Sequence, residues 1–205
     1  MSGCWAIIPV KALDEAKSRL AAALAPRERV SLSLEMLERV LAAVMEAEEL
    51  APLVVSRDNR ALELARASGV ETLLDRRQGL NPSVEEAARW ALGKGASGLL
   101  VVHADLPLLR RDDISAILKL GAGTPSVVLA PCRREEGTNA LFMQPPGLIP
   151  FAFGPDSFKV HAALARRRGA FLRIYRSPRT ALDVDTVGDL ETFRAQVPLV
   201  ARSSP

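Results

Sequence analysis

Short apolar runs rich in Val, Ile and Leu recur along the chain: "WAIIPV" at 5–10, "PLVVS" at 52–56, "GLLVVHA" at 98–104 and "PSVVLAP" at 125–131. Each is nearly continuous in its apolar character, and a segment of helical period separates it from the next. Strands covered on both faces have this pattern, so the prediction is an α/β fold with a central, mostly parallel mixed sheet flanked by helices. Two later runs, "TNALFMQ" at 138–144 and "AFLRIYR" at 170–176, add further strands.

The clearest helix is predicted over 26–49, where Val30, Leu34, Leu37, Leu41 and Val44 form one apolar stripe and Pro26 suits the first turn. Asp58 caps a second helix. Asn81, with Pro82 at the first helical position, caps a third, and Asp112 caps a fourth ahead of "DISAILKL". Another starts near Asp156 or Ser157, and a last short one follows Thr186, whose spacing to Asp189 fits a capping box. The Pro- and Gly-rich stretch 145–155 reads as a long irregular loop of the kind that carries function. The tail "ARSSP" is expected to fray.

Composition narrows the partners. The chain has 205 residues, 48% of them hydrophobic, enough for one sizeable core in a single domain. Its 27 basic and 24 acidic side chains leave a formal charge of only +3, spread without a basic tail, so nucleic acid is not indicated. Cys4 and Cys132 have no partner at metal-ligand spacing and are expected to be reduced thiols. The amino-terminal apolar run is too short for a signal or a membrane span, which gives the expectation of a soluble, cytoplasmic protein with no membrane partner.

The segment "TALDVDT", 180–186, reads as a short buried strand that seats two aspartates one residue apart. Strand alternation would put Asp183 and Asp185 on one side, roughly 7 Å apart, with Leu182 and Val184 facing the core. A third acid, Asp105, ends the run "LLVVHAD", at the carboxyl edge where open α/β sheets bind ligands. Alone, it reads equally as a turn or helix-start residue. Were the three to converge at about 5 Å, each pair would repel by roughly 3 kcal/mol at an effective dielectric near 20, against about 1 kcal/mol gained from a helix cap. A cation is then required. An all-oxygen set suits Mg²⁺ or Mn²⁺ over Zn²⁺.

Lys11, Lys17 and Arg19 follow the first strand and can neutralise a triphosphate, or simply be solvated; neither a G-x-G-x-x-G nor a Walker motif accompanies them. "EGTNALF" offers Gly137 for close approach and donors on Thr138 and Asn139. His103 reads as a packed side chain, whereas His161, one turn inside a helix, is a candidate for orienting a substrate. No nucleophile–base pair is legible, which disfavours covalent catalysis.

Taken in order, "IIPVKALDEAKSRL", "GLN" at 79–81, "ADLPLL", "GTNALF", "FGPDSFKVHAALA" and "LDVDTVGDL" resemble the guanylyltransferases of coenzyme F420 biosynthesis, which act on 2-phospho-L-lactate or phosphoenolpyruvate. The resemblance implies a single-domain nucleotidyltransferase fold, GT-A-like and Rossmann-like. It further implies that Asp105, Asp183 and Asp185 hold Mg²⁺ (or Mn²⁺), with Lys17 and Arg19 facing the GTP phosphates. Thr138, Gly154 and Ser157 would bind the small phosphorylated acid, and Asn81 would lie near the nucleotide. The chain departs from many relatives at Glu136-Gly137, where a glycine pair is usual, and at Val187-Gly188, where Pro-Glu is usual. Competing readings are a nucleotidyltransferase acting on a sugar phosphate or molybdenum cofactor, and a noncatalytic nucleotide-binding regulator. Phosphoenolpyruvate, 2-phospholactate and 3-phosphoglycerate are not separable by residue type, and a homodimer is left open.

Overall fold

In a computed structural model, which describes residues 3–196, seven strands form one sheet in the order β3-β2-β1-β4-β6-β5-β7. The strands are β1 (Cys4–Val10), β2 (Leu50–Ser56), β3 (Glu71–Leu74), β4 (Gly98–Val102), β5 (Ser126–Pro131), β6 (Thr138–Gln144) and β7 (Phe171–Ile174). Only β6 runs against the rest, pairing antiparallel with both β4 and β5. The helices are α1 (Pro26–Met45), α2 (Asn59–Ala67), α3 (Leu80–Gly93), α4 (Arg111–Leu120), α5 (Ser157–Arg167), α6 (Pro178–Ala181) and α7 (Val187–Gln196). The predicted mostly parallel mixed sheet with helices on both faces is therefore what forms. The tail "ARSSP" lies outside the described residues.

Alternate residues of the strands feed two cores. Ala6, Ile8, Val54 and Leu100 pack with α1, α2 and α4 on one face, and Ile7, Leu53, Val101 and Leu141 with α3 and α5 on the other. A third, smaller cluster joins Leu20, Leu24, Leu32 and Met36 to Leu182, Val184, Leu190 and Phe193. That cluster fastens the segment after β1 to the segment before α7. It also explains why α1 is apolar over a wider arc than one stripe: Leu37, Val40, Leu41 and Val44 face the sheet, Leu32 and Met36 the third cluster, and Val30 and Leu34 are only half-buried.

Several local expectations need correction. "TALDVDT" is not a strand: α6 covers its first two residues and 182–185 is extended without a ladder. The reason is topological, since β4 is flanked by β1 and β6 and offers no free edge. The segment lies beyond the end of β4, where Val184 N donates to Asp105 O at 3.2 Å. Its alternation survives, with Leu182 and Val184 buried. Helix α1 ends at Met45, before the predicted 49, because Leu50 already pairs with Cys4 in the sheet. Asn81 lies inside α3, whose cap is Gly79, and Asp112 lies inside α4, whose start is held by Asp113 accepting from Arg110 N at 3.0 Å. Asp58 and the Thr186–Asp189 box do cap as predicted.

Candidate active site

A cleft of about 710 Å³ opens at the carboxyl edge of β1, β2 and β4, the place where parallel strands leave backbone and loops free to meet a ligand. Its floor is built from the loop after β1 and the end of β4. In that loop Leu13 and Leu20 are buried, and between them Lys17 adopts φ 55°, a left-handed conformation that costs a non-glycine residue about 1 kcal/mol. The turn drives the Lys17 side chain inward, leaving it 7% exposed. Its Nζ donates to Asp105 Oδ2 at 2.8 Å and to Asp185 Oδ1 at 3.0 Å.

Two carboxylates share this one lysine, and Asp183 stands beside them without it. Burial by itself would lower the Lys17 pKa, but the charges of Asp105 and Asp185 outweigh it and hold the ammonium above the ordinary lysine value. Burial pushes Asp105 up, and the neighbouring Lys17 and His103 more than reverse this. Asp183 is different: burial first, and then the Asp105 charge, raise its pKa, with Asn139 opposing in part. Asn139 Nδ2 donates to Asp183 Oδ1 at 3.2 Å and to Thr180 O at 3.0 Å. Asp105 Oδ1 is buried without a hydrogen-bond partner, and so is His103 Nε2 beside it.

The cation that strand-end aspartates demand is thus supplied in part by the chain itself. Among the described residues no three acidic, His or Cys side chains cluster so as to hold a metal alone. Even so, the donor set is all oxygen and leaves Asp105 Oδ1 unanswered. This suits Mg²⁺, which commonly takes one or two carboxylates and completes its shell with water and substrate phosphates.

Lys11 and Arg19 line the same cleft and are exposed. Thr138 and Ser157 are buried to one side of it, where β6 begins next to the end of β4: Thr138 N donates to Ser157 Oγ at 3.0 Å, and His103 N to Asn139 O at 3.1 Å. Gly154 is exposed, with φ 140°, two residues beyond Ala152, whose N–H donates to His161 Nε2. Asn81 is not on the cleft wall. Its amide brackets Phe153, donating to the carbonyl at 2.9 Å and accepting from the N–H at 2.7 Å, and so pins the loop 145–155 to α3. Sequence reasoning missed Asp75, which lines the cleft and accepts from Ser83 Oγ at 2.7 Å. No sequence signal marked it, since the strand that Asp75 follows, β3, is four residues long with exposed ends.

This fold is that of nucleotidyltransferases, and the chain is an enzyme of that class. It superposes on a Methanothermobacter nucleotidyl transferase with a TM-score of 0.70 at 17% identity, covering 95% of this chain and 97% of that one. Residues 4–194 match the family described as guanylyl transferase CofC like. The phosphoenolpyruvate guanylyltransferase of Rubrobacter xylanophilus is 44% identical over 191 residues, 93% of either chain. The 3-phospho-D-glycerate guanylyltransferase of Colwellia psychrerythraea is 34% identical over 186 residues, 90% of this chain and 88% of that one. The chain belongs to the guanylyl transferase CofC-like family.

Proposed function

We propose that the enzyme transfers GMP from GTP to the phosphate of phosphoenolpyruvate, releasing pyrophosphate, as a cytoplasmic step of coenzyme F420 biosynthesis. The observation that carries this reading is the lysine held between Asp105 and Asp185 on the cleft floor, in a chain 44% identical to a phosphoenolpyruvate guanylyltransferase over 93% of its length.

An oxygen of the acid's phosphate attacks the α-phosphorus of GTP; a new P–O bond forms as the bond to the β-phosphate breaks and pyrophosphate leaves. A phosphate monoester has a second pKa near 6, so its nucleophilic oxygen is already ionised at neutral pH and no general base is needed. Of the two histidines, His161 has both ring nitrogens bonded to protein, and His103 lines the cleft beside Asp105 with Nε2 unpartnered, a role in proton transfer not being required of either. The difficulty is bringing two polyanions together, and here charge neutralisation and in-line positioning contribute most.

Lys17 holds the Asp105 and Asp185 carboxylates in fixed positions, and Lys11 and Arg19 on the cleft wall meet the triphosphate. Asp105, Asp183 and Asp185 would hold Mg²⁺, with the unpartnered Asp105 Oδ1 as a ready donor. Bound there, the ion would neutralise phosphate charge and stabilise the transition state as a Lewis acid. Thr138, Gly154 and Ser157 receive the carboxylate end of the acid.

The test is to incubate purified protein with Mg²⁺, each of the four NTPs and, in turn, phosphoenolpyruvate, 3-phosphoglycerate and 2-phospholactate, measuring pyrophosphate. Release with GTP and phosphoenolpyruvate is the expected result. Release with 3-phosphoglycerate alone would reassign the acid to that of the Colwellia relative, and silence in every combination would refute the activity.

A further inference from the structure

His161 is fully buried in α5, yet both of its ring nitrogens are engaged with different parts of the fold. The backbone N–H of Ala152, in the loop 145–155, lies 2.9 Å from Nε2. An amide N–H can only donate, so Nε2 must be the unprotonated, accepting nitrogen. A neutral imidazole then carries its proton on Nδ1. Burial, with the nearby His103 charge, lowers the His161 pKa to about 4, so the neutral ring is the form present near neutrality. Nδ1 lies 3.0 Å from Thr138 Oγ1. The tautomer, assigned by Ala152, therefore makes Nδ1–H the donor and the threonine hydroxyl the acceptor.

The consequence falls on Thr138. With its oxygen accepting from His161, the hydroxyl proton of Thr138 is released to point elsewhere. Ser157 is set in the same way: its Oγ accepts from Thr138 N–H at 3.0 Å, which frees its own proton. Two neighbouring hydroxyls, buried at 1% and 2% exposure and each with an internal donor on its oxygen, keep their own protons for a further acceptor such as an anion.

We propose that His161 is a positioning residue for the acid substrate: by donating from Nδ1 to Thr138 Oγ1 it commits the Thr138 hydroxyl to donate to the phosphorylated acid. This rests on the placement of the acid at Thr138 in the proposed function. A purely structural alternative is that His161 clamps the loop 145–155 to β6. The two bonds can be removed one at a time. In His161→Asn the amide nitrogen takes the place of Nδ1, keeping the donor to Thr138 and losing the acceptor for Ala152. In His161→Gln the longer side chain keeps the acceptor for Ala152 and loses the donor to Thr138.

The experiment measures KM for phosphoenolpyruvate and for GTP, together with the melting temperature, in wild type and both variants. The Gln variant is expected to raise the acid KM about tenfold, leaving kcat and the GTP KM within about twofold. The Asn variant is expected to restore the acid KM to within about twofold of wild type despite melting lower, because the Ala152 amide is left unpaired. Equal acid KM in wild type and the Gln variant, or an Asn variant as impaired as Gln, overturns the inference. Long-range ¹⁵N–¹H NMR of the wild-type imidazole tests the tautomer without any variant: an Nδ1–H ring supports it and an Nε2–H ring overturns it. A wild-type protein that neither binds the acid by calorimetry nor releases pyrophosphate overturns the proposed function and this inference together, whereas turnover unaltered by His161→Gln overturns the inference alone.

Discussion

Asp105 and Asp113 sit at the two ends of the connection from β4 to α4, and the fold treats them in opposite ways. Asp113 is completely buried, and its two oxygens take four bonds: Oδ1 from Tyr175 Oη at 2.7 Å and Arg179 Nη2 at 2.8 Å, Oδ2 from Arg179 Nε at 2.7 Å and Arg110 N at 3.0 Å. Asp105 takes one bond on Oδ2 and none on Oδ1, and it shares its lysine with Asp185. Burial would raise the pKa of either group. At Asp113 the Arg179 and Tyr175 hydrogen bonds reverse that, and at Asp105 Lys17 and His103 do, while at neighbouring Asp183 Asn139 opposes it only in part. A saturated carboxylate fastens elements together, here α4 to β7 and α6. An undersaturated cluster keeps binding capacity in reserve, and the fold carries its cost.

If the undersaturated cluster exists for ligand binding, neutralising one member should separate activity from stability. Asp183→Asn is expected to lower turnover by more than about 10³-fold while the melting temperature at pH 7, measured in EDTA, stays the same or rises. The sign follows from the raised pKa. The folded state then binds more protons than the unfolded one in the window between the unfolded value, about 3.9, and the higher folded value, so wild-type stability falls as pH rises through it. The advantage of the variant should accordingly vanish below about pH 4. A variant that melts well below wild type yet keeps its activity would make Asp183 a structural group like Asp113.

The saturated carboxylate makes the converse prediction. Asp113→Ala strands Arg179, which is 36% exposed and partly rescued by water, so a loss of about 3 kcal/mol is expected, at the low end for broken buried pairs. For a chain of this size that is a fall of roughly 6–12 °C in Tm by differential scanning fluorimetry. Turnover at 25 °C should stay within about tenfold of wild type. Because the folded Asp113 pKa is depressed, its stabilisation is present above the unfolded value and disappears as pH falls through the folded one. The two variants should therefore converge on wild type in acid from opposite sides.

This contrast shows what was legible in the sequence. Alternation in "TALDVDT" correctly put Leu182 and Val184 in the core and the aspartates on the other side, although the segment joins no sheet. Alternation reports extended backbone, while ladder pairing depends on which edges are free, a property of the whole topology. The repulsion among strand-end acids was legible too, but part of its answer, Lys17, lies 88 residues from Asp105, and the sequence marks it as a catalytic, phosphate-facing cation without pairing it to the acids. Strand β3 escaped because four residues with exposed ends leave no period to detect. Asn81 precedes Pro82 in a way that mimics a cap, and only the folded loop shows its amide bonded to Phe153, 72 residues away. Asp113 gave no signal at all, because an acid in the first turn of a helix is ordinary and its partners come from 62 and 66 residues on.

The smallest predicted effect probes the edge of the same site. Lys17 is 7% exposed and held by two carboxylates, whereas Arg19 lines the cleft from an exposed position, where under the proposed function it would meet the triphosphate through water and salt. Screening at 0.15 M salt has a length of about 8 Å, falling to about 3 Å at 1 M, so an exposed charge loses its influence as salt is added and a buried one does not. Arg19→Gln is expected to raise the GTP KM about threefold at low salt, with the difference shrinking below twofold near 0.5 M KCl. The Asp183→Asn defect should persist across the same range, since Asp183 is largely withdrawn from solvent and dissolved salt screens it little. A salt-independent Arg19→Gln effect would mean that Arg19 closes onto the nucleotide and becomes part of the buried machinery, moving it from the screened edge of the cleft to the class of residue that Lys17 represents.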